Sequence, residues 1–434
     1  MHDSKIRSKT IGRRSVLKGG LAVAAAAAVP TILVRKASAQ QEKTLKIVQW
    51  KHFVPDYDRW FSQFVQEFGE KNKAKVEVDY VATNDLPTAI AADISRGGGH
   101  DVFHLNGVGA WLYDQALVDV SDVATKLEKQ YGPFIQDSKS IGYVKNKWLA
   151  IPSWYISYPL IINTGYFKEV GEQYTEKTTW QDMIKIGEKL KKAGHPFGIA
   201  YSQTPDSNDD LLPIMWAFGA YMFDKEGKIS FRKKEIVDVL KWGKDFFDKT
   251  MTEEVLSWDD SSNNRFIASG KGSMIDNPIS AYRTAAKDNP ETFKNLAIVK
   301  TPLGPKGRFN GARTMSYGIY NFSKVQDLAK QFLLAMDGEY FLKGFEASTG
   351  YNHPFLKKFL KKPMPVIGNE PKLQLLQDFQ DDVHFIGYPG PMTKTATSMY
   401  AKFIVPTMFA EVAKGKNPRQ AMDEAEQKLR AVQG

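Results

Sequence analysis

The sequence predicts an α/β protein of two lobes, each a mostly parallel sheet flanked by helices. Three observations predict it. Extended and helical apolar periods alternate from Thr44 onward, the alternation restarts after Trp148, and no low-complexity joint separates the halves. Strand–helix–strand order gives a parallel sheet covered on both faces, and such sheets bind ligands in a crevice at the carboxyl ends of their strands.

Leu45 and Ile47 share one face of a strand over 44–50, and Trp60, Phe61, Phe64, Val65 and Phe68 then recur at helical spacing. Val76, Val78 and Tyr80 alternate as a strand does. Asn84 or Asp85 caps the next helix, Pro87 lies in its first turn, and Gly97-Gly98-Gly99 ends it. Asp101 to Leu105 is a third strand, followed by a helical turn around Trp111. In the second half, 148–151 and 160–163 are extended. Thr179 caps a helix carrying Trp180, Met183, Ile184, Gly187 and Leu190, which Gly194 closes before a strand over 197–200. Val325, Leu328, Ala329, Phe332, Leu333 and Met336 form an apolar stripe. Two helices finish the chain, one near Met399 to Val412 and one from Pro418 to Val432, capped by Asn417.

The first 39 residues predict export. A basic stretch ending Arg13-Arg14-Ser15-Val16-Leu17-Lys18 precedes an Ala-rich apolar run from Leu21 to Val34, and Ala37-Ser38-Ala39 supplies a small-x-small cleavage pattern. The arginine pair resembles a twin-arginine signal, although Gly12 and Val16 depart from its usual residues, so a Sec signal stays open. The chain has no cysteine in 434 residues, which excludes disulfides, thiolate metal sites, thiol catalysis and a lipid-modified cysteine. Of the net +10, eight cations and Asp3 in the signal account for +7, leaving +3 on the remaining 395 residues. That balance, without basic blocks interleaved with aromatics, argues against nucleic-acid binding.

Seven short motifs, in order, resemble the family 1 extracellular solute-binding proteins of ABC importers, the group containing maltose-type sugar-binding proteins. They are Gly97-Gly98-Gly99-His100-Asp101-Val102, Ala116-Leu117-Val118-Asp119-Val120, Trp148-Leu149-Ala150-Ile151-Pro152, Ile162-Asn163-Thr164-Gly165-Tyr166-Phe167, Thr179-Trp180-Gln181-Asp182-Met183, the run from Phe266 to Met274, and Gly415-Lys416-Asn417-Pro418. His100 stands where family members often have Pro. The resemblance covers 40–434 and implies a two-lobed periplasmic-binding-protein fold, with hinge crossings between the lobes. Lobe one would hold 43–153 and a return segment 315–352; lobe two would hold 154–314 and 353–434. It further implies a monomer that captures a small solute, a carbohydrate or polyol, closes over it and delivers it to a permease. No cofactor and no catalysis are implied.

Sugars present apolar ring faces and a girdle of hydroxyls, which suit aromatic planes and Asp, Asn, Arg or backbone groups. Candidates are therefore residues just after strands or on the crossings: Trp50, His52, Asp85, Asn106, Trp154, Tyr155, Trp216, Asn277, Arg313 and Tyr351. Each has a plainer role as packing, cap or turn residue. An organic anion would use Arg313 and Arg265, and a polyamine a cage of Trp and Asp. The alternative of a secreted carbohydrate-active enzyme on the same scaffold needs two facing carboxylates; Asp209-Asp210, Asp259-Asp260 and Asp381-Asp382 are adjacent doublets, so distant carboxylates would have to converge. Asp206-x-Asn208-x-Asp210 opens like a calcium loop but has Leu211 where that loop needs Gly. His100 and His104 would share a strand face without a third metal ligand.

Overall fold

Alternate burial puts Leu45 and Ile47 of β1 (Lys43–Trp50) inside, and the strand pairs in parallel with β2 (Ala74–Val81) along its whole length. The structure is a computed structural model describing residues 43–135 and 137–433; the predicted export signal, 1–39, lies outside them. The helix Pro55–Asn72 joins the two strands. It starts on Pro55, buries Phe61, Phe64, Val65 and Phe68, and stops at Lys73, whose φ of 51° is left-handed. The helix Leu86–Arg96 ends on Gly97 and returns the chain to β3 (Val102–Asn106), parallel to β1. Right-handed helical crossovers return each strand in the same direction, so this part of the sheet is parallel.

A hairpin of β4 (Tyr143–Val144) and β5 (Lys147–Trp148) leads into β6 (Ala150–Tyr158). Only Pro159 separates β6 from β7 (Leu160–Asn163), where the chain passes from one sheet to the other. The second sheet adds β8 (Phe197–Gly198), β9 (Met274–Asp276) and β10 (Leu296–Val299), in the order β10-β7-β9-β8. The chain returns on β11 (Gly311–Ile319), and β12 (His353–Pro354) completes the first sheet as β12-β6-β11-β3-β1-β2. All nine residues of β6 and all nine of β11 are buried, so these two strands form the shared spine.

Three expectations are corrected. The sheets are mixed instead of mostly parallel: β6 and β11 pair antiparallel with each other, β11 runs against β3, and β7 runs against both β9 and β10. The chain enters β7 and β11 from the other sheet, and β6 from the β4/β5 hairpin, so no helical crossover fixes these strands parallel. The single helix expected near 399–412 is two, Lys394–Ala401 and Ile404–Ala413, with Phe403 left-handed between them. Pro406 lacks an amide hydrogen and its ring would clash with the carbonyl four residues earlier, which places it in a first turn. The cap expected from Asn84 or Asp85 is also absent: Asp85 precedes Leu86–Arg96 without a side-chain cap bond, whereas two other caps fold as read. Thr179 and Asp182 form a reciprocal capping box on Trp180–Lys192, and Asn417 accepts from the amides of Arg419 and Gln420.

Candidate functional site

The carboxyl end of β3 and the turn after β2 face residues 203–205 and 400–403 across a cavity of about 270 Å³. Thr83, Asn84, His104 and Asn106 line it on one side, and Gln203 and Tyr400 on the other. None of its described lining residues is Asp, Glu, Lys or Arg. Several of its polar atoms are buried without a protein partner: Thr83 Oγ1, both ring nitrogens of His104, and both amide atoms of Asn106. Each such group costs about 1–3 kcal/mol if nothing at all partners it, and no described protein residue does so at this wall. His104 stacks on Tyr317 with centroids 4.6 Å apart and lies 5.3 Å from the Trp154 ring. Burial, aided by nearby His52, pushes its pKa down to about 3, so it is a neutral donor and acceptor at physiological pH.

A second chamber, of about 430 Å³, opens on the other side of Thr83 and Asn84. Its wall is Trp50, His52 and Phe53, with Lys51 beside them and Asp259, Asp260 and Ser261 opposite. The Val54 amide donates to His52 Nδ1 at 2.9 Å, so Nε2 carries the hydrogen and donates to Asn352 Oδ1 at 3.0 Å. Burial lowers the His52 pKa to about 4 and keeps it neutral as well. Tyr351 stands behind this wall, 6.5 Å from Trp50 and 5.0 Å from His52 between ring centroids.

Behind both chambers lies a buried ion network. Arg313, on β11 and 1% exposed, donates through Nε to Asp209 Oδ2 at 2.7 Å and through NH2 to Asp206 Oδ1 at 2.6 Å. Its NH1 reaches Asp260 Oδ2 at 3.4 Å. Tyr158 on β6 donates to Asp206 Oδ1 at 2.8 Å, and Tyr400 donates to Asp209. Desolvation, reinforced by Asp260, pushes Asp206 up to about 7. Burial also raises Asp209, and raises Asp210 and Asp276 well above the carboxylate range. Neither oxygen of Asp210 has a partner, so a proton there replaces the missing counter-charge. Among the described residues no group of three or more His, Asp or Glu side chains is arranged to hold a metal ion.

The structure sorts the ten sequence-derived candidates. Trp50, His52 and Asn106 line the chambers, and Tyr351 backs the aromatic one. Asp85 is exposed and lines neither, although its neighbours Thr83 and Asn84 line both. Adjacent strand residues face opposite ways, so Trp154 and Tyr155 cannot act together. Trp154 packs on His104 and Tyr57, whereas Tyr155 stacks on His353 and meets Phe355 and Phe385. Trp216 packs on Tyr388 and His384. Asn277 is spent on Asn263, Asn264 and the Pro278 carbonyl. Arg313 faces three aspartates. Asp206 to Asp210 form the first turns of the helix Pro205–Ala217, not a calcium loop. His100 and His104 do not meet: His100 bonds Asp93 and Asp79.

Sequence reasoning missed Thr83, Asn84, Gln203 and Tyr400, and considered His104 only as a metal ligand. Alternation along β3 with Asn106 at its end was a usable signal for His104. Tyr400 offered none, since it sits in an apolar helical stripe.

A family model described as bacterial extracellular solute-binding protein matches residues 63–374. A search of curated proteins finds no match. Among solved structures, maltose-bound MalE3 of T. maritima is similar at a TM-score of 0.76 and 16% identity, over 90% of this chain and 99% of that one. A sugar transporter protein from Arthrobacter chlorophenolicus with bound laminaribiose gives 0.78 and 14%, over 91% and 100%. An ABC transporter solute-binding protein from Agrobacterium radiobacter, in complex with ribitol, gives 0.75 and 17%, over 90% and 98%.

Proposed function

The chain belongs to the bacterial extracellular solute-binding proteins, and from that membership we propose that it captures an uncharged polyhydroxylated solute, a sugar or a polyol, and hands it to the permease of an ABC importer. The observation that carries this reading is the neutral chamber. It sets the unpartnered atoms of Thr83, His104 and Asn106 around a space with no ionisable Asp, Glu, Lys or Arg among its described lining residues. Hydroxyl groups donate and accept, and so satisfy both kinds of atom without adding charge. The aromatic chamber supplies ring faces through Trp50, His52 and Phe53. The similar structures named above hold maltose, laminaribiose and ribitol, all uncharged polyhydroxylated compounds.

A polyamine or an organic anion fits less well. Asp259 is held by Arg265, Ser261 and Ser262, and Asp260 faces Arg313, so the acids of the second chamber already have partners. Arg313 is buried on three aspartates and the exposed Arg265 pairs with Asp259, which leaves an organic anion without its expected two-arginine clamp. The lobes we propose are 43–153 with 315–352, and 154–314 with 353–434. Their boundaries fall within β6, within β11 and just before β12, so the strands themselves are the hinge. Closure from 1:99 to 99:1 needs about 5.5 kcal/mol of preference for the closed state, less than the roughly 8 kcal/mol of micromolar binding.

The same reading makes the protein a chemically inert monomer, exported to the periplasm by a twin-arginine-like or Sec signal. The test is a thermal-shift screen of the exported protein against sugars, polyols, polyamines and organic acids, with product analysis of the sugar incubations. At least one uncharged compound should raise the melting temperature by a few degrees and be recovered intact, since a hundredfold excess over Kd adds about 2.7 kcal/mol. Stabilisation by charged compounds alone, or turnover of an oligosaccharide, would refute it.

A further inference from the structure

Tyr400 meets Gly107 across the cavity, and the two ends of this contact are fastened to adjacent residues of β11, Thr314 and Arg313. On one side, the Gly107 amide donates to the Thr314 carbonyl at 2.8 Å. On the other, the Tyr400 hydroxyl donates to Asp209, 3.1 Å from each oxygen, and Arg313 Nε donates to Asp209 Oδ2 at 2.7 Å. Asn208 Nδ2 donates to the Tyr400 carbonyl at 3.0 Å and holds the backbone that carries the ring. Gly107, Thr314, Arg313, Asp209 and Tyr400 thus form a closed circuit that spans the cleft.

The fit at the crossing point is tight. Gly107 has a φ of +72°, and a Cβ placed on it would stand 2.7 Å from Tyr400 Oη and 2.8 Å from its Cε1. Two residues on, a Cβ on Gly109 would stand 2.7 Å from Met392 Sδ, so the whole turn from 107 to 109 lies against the opposite lobe. Asn106, with its unpartnered amide, immediately precedes this turn, and Tyr400 lines the same cavity.

We propose that Tyr400 seated against Gly107 is the latch that sets how far the cleft closes, and that Asp209 and Arg313 are its positioning residues. A side chain at 107 would prop the lobes apart. Loss of the Tyr400 hydroxyl would free the ring from Asp209 and loosen the seat. Arg313 acts on the solute only through this chain, by holding Asp209 where Tyr400 needs it. The proposal rests on the reading of a cleft that closes, but not on which solute closes it.

The chain has no cysteine, so two introduced ones can carry spin labels without background. Lys147→Cys and Glu226→Cys place them at exposed positions beside the groove that Lys145 and Lys225 line on the two sides of the cleft. Pulsed electron–electron distance distributions are compared for the otherwise native protein, Gly107→Ala, Tyr400→Phe and Gly97→Ala. Gly97 has a φ of +61° and no atom within 4 Å of an added Cβ, so it carries the same backbone strain without the contact. The latch predicts a severalfold loss of the short-distance population in Gly107→Ala and a smaller loss in Tyr400→Phe, with Gly97→Ala unchanged. A Gly107→Ala distribution matching the native one overturns the latch. A native distribution in Tyr400→Phe alone overturns the positioning role of Asp209 and Arg313. A screen in which no uncharged solute binds sinks the proposed function and leaves this result standing.

Discussion

Two buried polar regions lie close together in this protein and solve their burial in opposite ways. At the end of β3, His104 and Asn106 face a cavity with no protein partner for any side-chain nitrogen or oxygen. At β11, Arg313 spends its guanidinium on Asp206, Asp209 and Asp260, and those acids draw further bonds from Tyr158, Tyr400 and Asn263. A polar group that the fold satisfies is part of the scaffold. One that no protein group satisfies, beside a cavity, is open to a partner from solvent or from a ligand. The charged region looks more like a site in the sequence, and the neutral one is the site we propose.

The contrast breaks most readily at Arg313. Arg313→Met should destabilise the protein by about 3–5 kcal/mol, because it strands three buried carboxylates around an apolar chain. Denaturant unfolding measures it, and a loss below about 1 kcal/mol would mean the network is no scaffold. A pH series sharpens the same region. Asp206 is raised to about 7 and Asp210 well above its ordinary value, so the folded state holds protons that the unfolded chain, with a pKa near 4, releases. Stability therefore falls as pH rises from about 4 through 7, by up to about 1.4 kcal/mol per pH unit for each retained proton. Asp210→Asn should flatten that slope, read from denaturant midpoints between pH 4.5 and 8; an unchanged slope would place the retained proton elsewhere. At the neutral region the expected effect on stability is the smallest. His104→Phe removes no protein hydrogen bond and keeps the ring contacts with Tyr317 and Trp154, so the solute-free protein should change by less than about 1 kcal/mol. A larger loss would show that His104 is structural.

Much of the fold was written locally in the sequence. The caps at Thr179 and Asn417, the helical stripe of Phe61, Phe64 and Phe68, and the alternation of β1 and β2 all depend on near neighbours, which sequence reasoning sees. Strand direction was not visible, because β6 and β11 gain their antiparallel partners only when the chain crosses between sheets. The site was less legible for the same reason. Arg313 looked free on its crossing, but its counter-ions come from positions 206, 209 and 260 and meet it only in the fold. The opposite facing of Trp154 and Tyr155 was readable from the two-residue period of a strand. Tyr400 was not readable at all, since its hydroxyl gains meaning only from Asp209 and Gly107.

Calorimetric titration of the best uncharged compound from the thermal-shift screen, against the native protein and Asn106→Ala, tests the neutral chamber most directly. Removing an amide that has no protein partner should weaken binding about tenfold or more while leaving the solute-free melting temperature unchanged. Equal dissociation constants for the two proteins would contradict the account, because the unsatisfied atoms at the end of β3 would then not be what the solute meets.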